Sequence, residues 1–400
     1  MSVTSTRSSR SVDHTGFPPL IHVLALGTFL MGTTEFIVAG LLPQIADDLR
    51  ITVARAGLMI TVFAVGMIVG TPLMALATVR VSPRTTLVAS LGVFAVGHVV
   101  LATATRIDMV LAARFITALA TGGFWAVAAV VASRTVGPSA TPRALGIVLG
   151  GGMLANVLGV PLGAFAGQII GWRGPFWILA ASAGIAALAV ARLVPGDPGD
   201  RAQSTVRKEV ASLRDPRIWY VLAGCAVVCG SSLSVYSYIA PLLMNNSGLR
   251  ESAVPLVLVA YGAGACVGSY VGGRVGSVYP LRVLSVAAAM TTLVLVALGL
   301  LSHLPLITVV LVTLLGLFGM STNPVLVAMA VRFAGDTPTL ASALTTSSFN
   351  LGTAIGSGMA GMAIQSRLGA TGPVVIGAVI AVLYCVPIGF LWTRLDHSRR

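Results

Sequence analysis

The sequence predicts an all-α integral membrane protein, with twelve transmembrane helices arranged as two pseudo-symmetric six-helix bundles. Three observations carry this. Only 9% of the 400 residues are charged and 56% are hydrophobic, with a mean hydropathy of +0.94; a soluble domain carries about a quarter charged residues. The apolar residues gather into twelve runs, each long enough at about 1.5 Å per residue to cross roughly 30 Å of hydrocarbon. One long polar stretch, rich in Pro, Gly and Asp, divides these runs into two sets of six.

Residues 1–17 are polar and rich in Ser, Thr and Arg, and read as a disordered cytoplasmic terminus. The first long helix is expected to act as its own insertion signal, since no signal peptide precedes it. The first six spans are expected near 20–42, 56–78, 85–104, 109–132, 144–168 and 174–191, giving an N-terminal bundle over 18–192. A cytoplasmic linker follows over 193–216. The second six are expected near 218–242, 253–273, 281–301, 305–331, 338–364 and 372–393, giving a C-terminal bundle over 217–394 and a short tail, 395–400.

The net charge of +13 raises the possibility of a nucleic-acid binder, but its distribution excludes that class. The basic residues lie between apolar runs, with no basic stripe or aromatic platform. Placing the N-terminus inside the cell puts eighteen of them on the cytoplasmic side and six on the other, with Arg114 left within a span. The positive-inside rule therefore sets both termini in the cytoplasm of a multi-pass protein of the cytoplasmic membrane, and the linker's basic residues would face anionic headgroups. Cys225, Cys229, Cys266 and Cys385 sit in apolar runs without a metal-binding pattern and read as core residues, so no metal is expected.

Glu35 is the one acidic residue well inside a span, and Arg114 the one basic residue. A charge at such depth costs from about 2.5 to over 10 kcal/mol unless it meets a partner or a wet cavity. Glu35 lies about 12 Å below the outer end of its helix and Arg114 about 9 Å below the same surface. Matched depths allow the two to pair, or to tune each other: desolvation favours the neutral acid and a nearby guanidinium favours the carboxylate. A group so balanced suits proton coupling; the alternative is a static pair fixing helix 1 against helix 4.

Gly159, Gly163 and Gly167, with Pro161 between them, recur at four-residue spacing in span 5, as do Gly264, Gly268 and Gly272 in span 8 and Gly352 and Gly356 in span 11. Such spacing lets backbones approach closely. Packing explains it; a sharper expectation is that these helices lie at the seam between the halves and let them rock. Polar and aromatic residues inside other spans need partners or a cavity. Of these, Phe36, Trp125, Asn156, Tyr236, Tyr238, Asn323 and Asn350 are the candidates to line a mostly apolar substrate pocket. His22 and His98 are not expected to relay protons. Asn245-Asn246-Ser247 matches a glycosylation acceptor, though nothing else points to a compartment that would use it.

No HExxH, GxSxG or Walker-type loop occurs. The chain is thus not expected to be an enzyme, or to use ATP or a cofactor; a proton gradient is the expected energy source.

MGTTEFIVAGLLPQIADDL from Met31, GVPLGAFAG from Gly159, WRGPFWI from Trp172, YSYIAPLL from Tyr236 and FNLGTAIG from Phe349 make the chain, from about 18 to 394, resemble the major facilitator superfamily. Within it the resemblance is to twelve-helix drug:proton antiporters, and to a bacterial subgroup of chloramphenicol, arabinose or sugar, and purine nucleoside exporters. It implies that Glu35 is the helix 1 acid that takes up protons and meets substrate, that Arg114 is the helix 4 arginine, and that the glycines with Pro161 form the antiporter signature. The loop after span 2 departs from the family's Asp-Arg-x-Gly-Arg-Arg, reading Val79-Arg80-Val81-Ser82-Pro83-Arg84. The gate-latching aspartate is missing, and Gly273 stands at its counterpart before Arg274. Together these imply proton-coupled export of a small neutral amphipathic molecule, chloramphenicol-like as the first choice. Sugars or nucleosides are the alternative, and a non-transporting receptor is less favoured. The protein is expected to act as a monomer with protons, substrate and the bilayer as its only partners.

Overall fold

The computed structural model describes residues 17–77, 81–136, 140–194, 213–335 and 338–396. Among these there are helices and no strands, because an apolar chain in lipid must satisfy its own backbone hydrogen bonds. We number the twelve membrane-crossing helices α1 to α12. Those of the first half are α1 (Pro19–Phe36, then Val38–Asp48), α2 (Val53–Ala77), α3 (Pro83–Thr103), α4 (Ile107–Thr135), α5 (Thr141–Leu154, Ala155–Gly159, Val160–Ile170) and α6 (Arg173–Leu193). In the second half are α7 (Pro216–Ser237, continued to Asn246), α8 (Val254–Gly276), α9 (Pro280–Leu301), α10 (Pro305–Ser321, then Asn323–Ala334), α11 (Pro338–Ile364) and α12 (Gly372–Val382, then Cys385–Asp396).

Proline organises both the starts and the breaks. Pro19, Pro83, Pro216, Pro280 and Pro305 each open a helix, where the missing N–H is no loss. Inside helices a proline removes an i→i−4 bond and crowds the preceding turn. The interruptions of α5, α7, α10 and α12 accordingly fall just upstream of Pro161, Pro241, Pro324 and Pro387, while α1 turns at Ile37 and carries Pro43 inside its second segment. In α5 the strain becomes a π-turn, Ala155–Gly159, in which the Val160 N–H bonds back to the Ala155 carbonyl. Gly171, with φ of 75°, supplies the left-handed residue for the tight turn from α5 to α6.

Among the described residues, eleven helical segments are apolar and long enough to cross a membrane. The twelfth, α11, is lowered in hydropathy by its Ser, Thr, Asn and Gly, and those residues are its packing surface. Side chains such as Leu306 at 78% exposure and Ile185 at 67% point outward from the bundle, as lipid-facing residues do.

The packing repeats between the halves. In the first, α1 lies on α5, α2 on α4, and α3 on α4 and α6; in the second, α7 lies on α11, α8 on α10, and α9 on α10 and α12. Between the halves, α2 packs against α11 and α5 against α8, which is one contact seen twice under the same pseudo-symmetry. We call the face where α1 begins the terminal face and its opposite the loop face. Near the loop face the halves are joined by Gln44 Nε2 donating to Glu251 Oε1 (2.7 Å), by Gln168 Nε2 donating to the Glu251 carbonyl (2.7 Å) and by Thr61 with Ser357 (2.8 Å). Ser347 Oγ donates to the Ile68 carbonyl at 3.1 Å nearer the terminal face.

The glycine ladders make their close approaches within each half, on helices α5, α8 and α11 that also meet the other half across the seam. A β-carbon at Gly159, Gly163 or Gly167 would meet Thr33, Ile37 or Leu41 of α1, and one at Gly264, Gly268 or Gly272 would meet the backbone of Thr313, Leu317 or Ser321 in α10. Gly352 and Gly356 likewise abut Ala226 and Gly230 of α7. Other glycines lie on the seam itself, among them Gly262 of α8 against the Asn156 carbonyl of α5 and Gly57 of α2 against Tyr238 of α7. Cys225 and Cys229 are buried as expected, but Cys385 is exposed. In the Asn245-Asn246-Ser247 pattern, Ser247 is 3% exposed and bonds the Ser302 carbonyl at 2.6 Å, while Asn245 is exposed.

The expected terminus 1–17 and tail 395–400 lie mostly outside the described residues, as do Arg80 and most of the linker 193–216. Of the α2–α3 loop, Ser82 is described. It caps α3 by accepting from the Thr85 N–H at 3.1 Å, with Pro83 in the first turn. Arg84 and Arg274 are exposed, and Arg274 reaches the Tyr270 hydroxyl at 3.5 Å.

Candidate functional site

The site is built where α1 loosens. Glu35 and Phe36 end its first segment, directly before the break at Ile37. Both project into a narrow cavity between the halves, which Ile60, Phe63 and Ala64 of α2 also line. The opposite wall is Leu233, Tyr236 and Ser237 of α7 with Asn350 and Thr353 of α11. The rings of Phe36 and Tyr236 meet edge to face across it, their centroids 6.0 Å apart, and Tyr236 in turn packs on Tyr261 at 4.4 Å. The cavity has room for about one water, far less than the several hundred cubic ångströms of a small-molecule site. The halves are therefore drawn together around Glu35.

Arg114 is fully buried beside this cavity and does not form an ion pair with Glu35. Its Nη1 donates to both the carbonyl (2.9 Å) and the hydroxyl (3.0 Å) of Thr34, and its Nε to the Met59 carbonyl at 3.2 Å. The guanidinium also stacks 4.1 Å over the Phe63 ring. One arginine thus holds α1, α2 and α4 together at the depth of the acid. Its Nη2 has no hydrogen-bond partner among the described residues.

Thr34 passes the chain of hydrogen bonds on. Its hydroxyl lies 2.7 Å from His98 Nε2, and His98 Nδ1 lies 2.7 Å from the Phe94 carbonyl. A carbonyl only accepts, so Nδ1 carries the proton and Nε2 accepts from Thr34. That leaves the Thr34 lone pair for Arg114. His98 therefore belongs to the polar network behind the acid.

Three of the seven candidate pocket residues, Phe36, Tyr236 and Asn350, line the cavity. The other four do not. Trp125 lies against Gly152 of α5, and Asn156 sits in the π-turn with its carbonyl against α8. Tyr238 is wedged between Gly57 and Gly361, closing α2, α7 and α11 near the loop face. Asn323 donates to Met320 Sδ at 3.5 Å. Pro161 and the three α5 glycines support the site indirectly by seating α1. Sequence reading missed Ile60, Phe63, Leu233 and Thr353, which carry no mark among other apolar or hydroxyl residues.

Among the described residues no cluster of His, Cys, Asp and Glu could hold a metal ion. What the arrangement offers is an acid and a few polar groups in an apolar seam between two halves.

Comparisons with known proteins agree with this geometry. Residues 24–242 and 222–400 each match the Major Facilitator Superfamily. The chain is 34% identical over 378 residues to a chloramphenicol resistance protein of Streptomyces lividans, covering 93% of this chain and 96% of that one. It is 31% identical over 367 residues to the inner membrane transport protein YdhP of Escherichia coli K12, covering 91% and 93%. Among solved structures it superposes on a bacterial homologue of the human lysosomal transporter Spinster in an inward-facing, unoccupied conformation, with a TM-score of 0.73 at 17% identity over 93% of this chain and 95% of that one. That likeness speaks for the fold.

Proposed function

Because this chain belongs to the major facilitator superfamily, and is a multi-pass membrane transporter rather than an enzyme, we propose that it exports a small, neutral, amphipathic molecule across the cytoplasmic membrane in exchange for protons. The observation that carries this is Glu35: a carboxylate in the wall of the cavity between the halves, with no hydrogen bond or ion pair among the described residues, while Arg114 is held by Thr34 and Met59.

Glu35 is half-buried, and a charge at that depth in an apolar seam is costly unless a partner or water meets it. When the cavity opens outward, Glu35 takes a proton and the halves close over a neutral acid. When it opens inward, the proton leaves and the substrate enters. One proton crossing about 150 mV releases about 3.5 kcal/mol, enough to hold a gradient of a few hundred-fold for a neutral substrate. The termini face the cytoplasm, as the positive charges of the sequence imply. The protein works as a monomer with no cofactor.

Chloramphenicol is the first substrate to test, on the likeness to the Streptomyces lividans protein. Labelled drug is allowed to accumulate in cells expressing wild type or Glu35→Gln, with and without a protonophore. Lower accumulation with wild type, abolished by the mutation and by the protonophore, is the expected result. Accumulation equal to the empty vector with every probe, chloramphenicol, sugars and nucleosides alike, overturns the export reading.

A further inference from the structure

The second-half wall of the cavity carries a bare hydrogen-bond acceptor. Asn350 is 4% exposed, and its Nδ2 donates to the Thr346 carbonyl at 3.0 Å. A carbonyl cannot donate, so the amide orientation is fixed, and Oδ1 is left as a buried acceptor with no partner. Thr353 commits its hydroxyl proton to the Phe349 carbonyl at 3.0 Å, so it too offers only lone pairs. Glu35, when ionised, adds two more acceptor oxygens. Donors are present as well: the Tyr236 hydroxyl, 2% exposed and unpartnered, the Ser237 hydroxyl in the cavity lining, and Arg114 Nη2 beside the cavity, likewise unpartnered. What the second-half wall lacks is a donor for Asn350 Oδ1, which no described residue satisfies, and a buried acceptor left bare is costly.

The charge balance narrows the ligand further. Arg114 is bound to Thr34, the neighbour of Glu35, so the ionised acid and the guanidinium sum to zero and the protonated acid leaves a net positive charge. Neither state favours a cation.

Resting on the export reading above, the geometry points to a substrate that is neutral, aromatic or otherwise apolar on one side, and carries at least two hydrogen-bond donors, hydroxyl or amide N–H. Asn350 Oδ1 receives one of them and Glu35 another, while Phe36 and Tyr236 pack on the apolar part. Glu35 and Phe36 belong to the first half, Asn350 and Tyr236 to the second, so the substrate bridges the two walls that must part to admit it. Asn350 is then a specificity-determining residue, selecting molecules by the donors they bring.

Binding, measured apart from flux, tests this. Purified full-length protein in detergent is titrated with matched pairs: chloramphenicol and its 1,3-di-O-acetyl ester, adenosine and its 2′,3′,5′-tri-O-methyl ether. The free-hydroxyl member of at least one pair should raise the melting temperature and bind at least tenfold more tightly than its blocked partner. Asn350→Leu should erase that preference. Blocked and free members binding within twofold of each other overturn the proposal, and the wild-type comparison alone reads this out if the variant does not fold. So do a preference that survives in Asn350→Leu, absence of binding by every free-hydroxyl probe, and tighter binding of tetraphenylphosphonium, a cation without donors. Proton-driven export of a donor-free compound, lost in Glu35→Gln, would remove this proposal and leave the export reading standing. Hydroxyl-selective binding with no flux of any probe would do the reverse.

Discussion

Arg114 donates to both oxygens of Thr34, the residue immediately before Glu35, at 2.9 and 3.0 Å. The cation is thereby fixed through the backbone next to the acid instead of on the acid itself. Thr34 lies in the last turn of the first α1 segment, where carbonyls lack intrahelical partners. The Thr34 hydroxyl is central, since it also donates to His98 Nε2 at 2.7 Å. Replacing it by the isosteric Val leaves His98 and Arg114 each short of a partner inside the membrane. Thr34→Val should lower stability by about 1–3 kcal/mol and reduce flux at least tenfold, whereas Thr34→Ser should keep both near wild type. Melting temperature and flux, measured side by side, check this; unchanged values in Thr34→Val would remove Thr34 from the machinery.

The glycines divide into two classes that sequence spacing does not separate. A methyl at Gly268 would run into the Leu317 carbonyl, and one at Gly352 into the Ala226 carbonyl; neither backbone atom can move as a side-chain end would. Gly146 and Gly150, spaced in the same way, have nothing within 4 Å of a β-carbon. Gly268→Ala and Gly352→Ala should each cost about 1–3 kcal/mol through overpacking. Gly146→Ala and Gly150→Ala should be neutral, or stabilising by up to about 1 kcal/mol through better helix propensity. Thermal unfolding in detergent decides, and equal effects in the two classes would refute the packing.

Asp215 caps α7 outside the membrane, its carboxylate accepting from the Arg217 N–H at 2.9 Å and from the Arg217 guanidinium at 2.6 Å. That guanidinium holds the carboxyl below its ordinary value. A depressed acid contributes stability above its unfolded titration range and loses it as pH falls through the folded one. Asp215→Ala should therefore destabilise by about 0.5–2 kcal/mol at neutral pH, and the difference from wild type should shrink in acid. A gap that is constant with pH would rule out the charged cap.

Much of the fold was legible because proline and charge are conspicuous in an apolar chain. Pro161 and Pro241 announce where α5 and α7 break, and the isolated charges Glu35 and Arg114 announce the depth of the site. Partners were not legible. Arg114 bonds two carbonyls, and a backbone oxygen freed near a helix break leaves no residue-level mark. Facing was not legible either, because a helix apolar all round gives no periodic signal of which side meets lipid and which meets protein. Trp125 and Asn156 were for that reason assigned to the pocket, though they pack on Gly152 and the α8 seam. His98 looked apolar in context because its partners, Thr34 and the Phe94 carbonyl, are supplied by a distant helix and by its own backbone.

The seam between α2 and α11 makes a direct test of movement between the halves. Thr61 Oγ1 and Ser357 Oγ lie 2.8 Å apart, one on each half and close to the Tyr238 wedge that closes the loop face. If substrate leaves by that face, these two side chains must separate in every cycle. Cysteines at Thr61→Cys and Ser357→Cys, in a background with Cys266→Ser and Cys385→Ser, place two thiols close enough to join on mild oxidation. The crosslinked protein should lose at least nine-tenths of its flux and recover it on reduction, while each single cysteine variant transports under both conditions. Binding of a substrate from the terminal face should survive the crosslink, because the lock holds only one side shut. Full flux with the disulfide formed would mean that the halves do not part along α2 and α11, and that the loop face opens elsewhere or not at all.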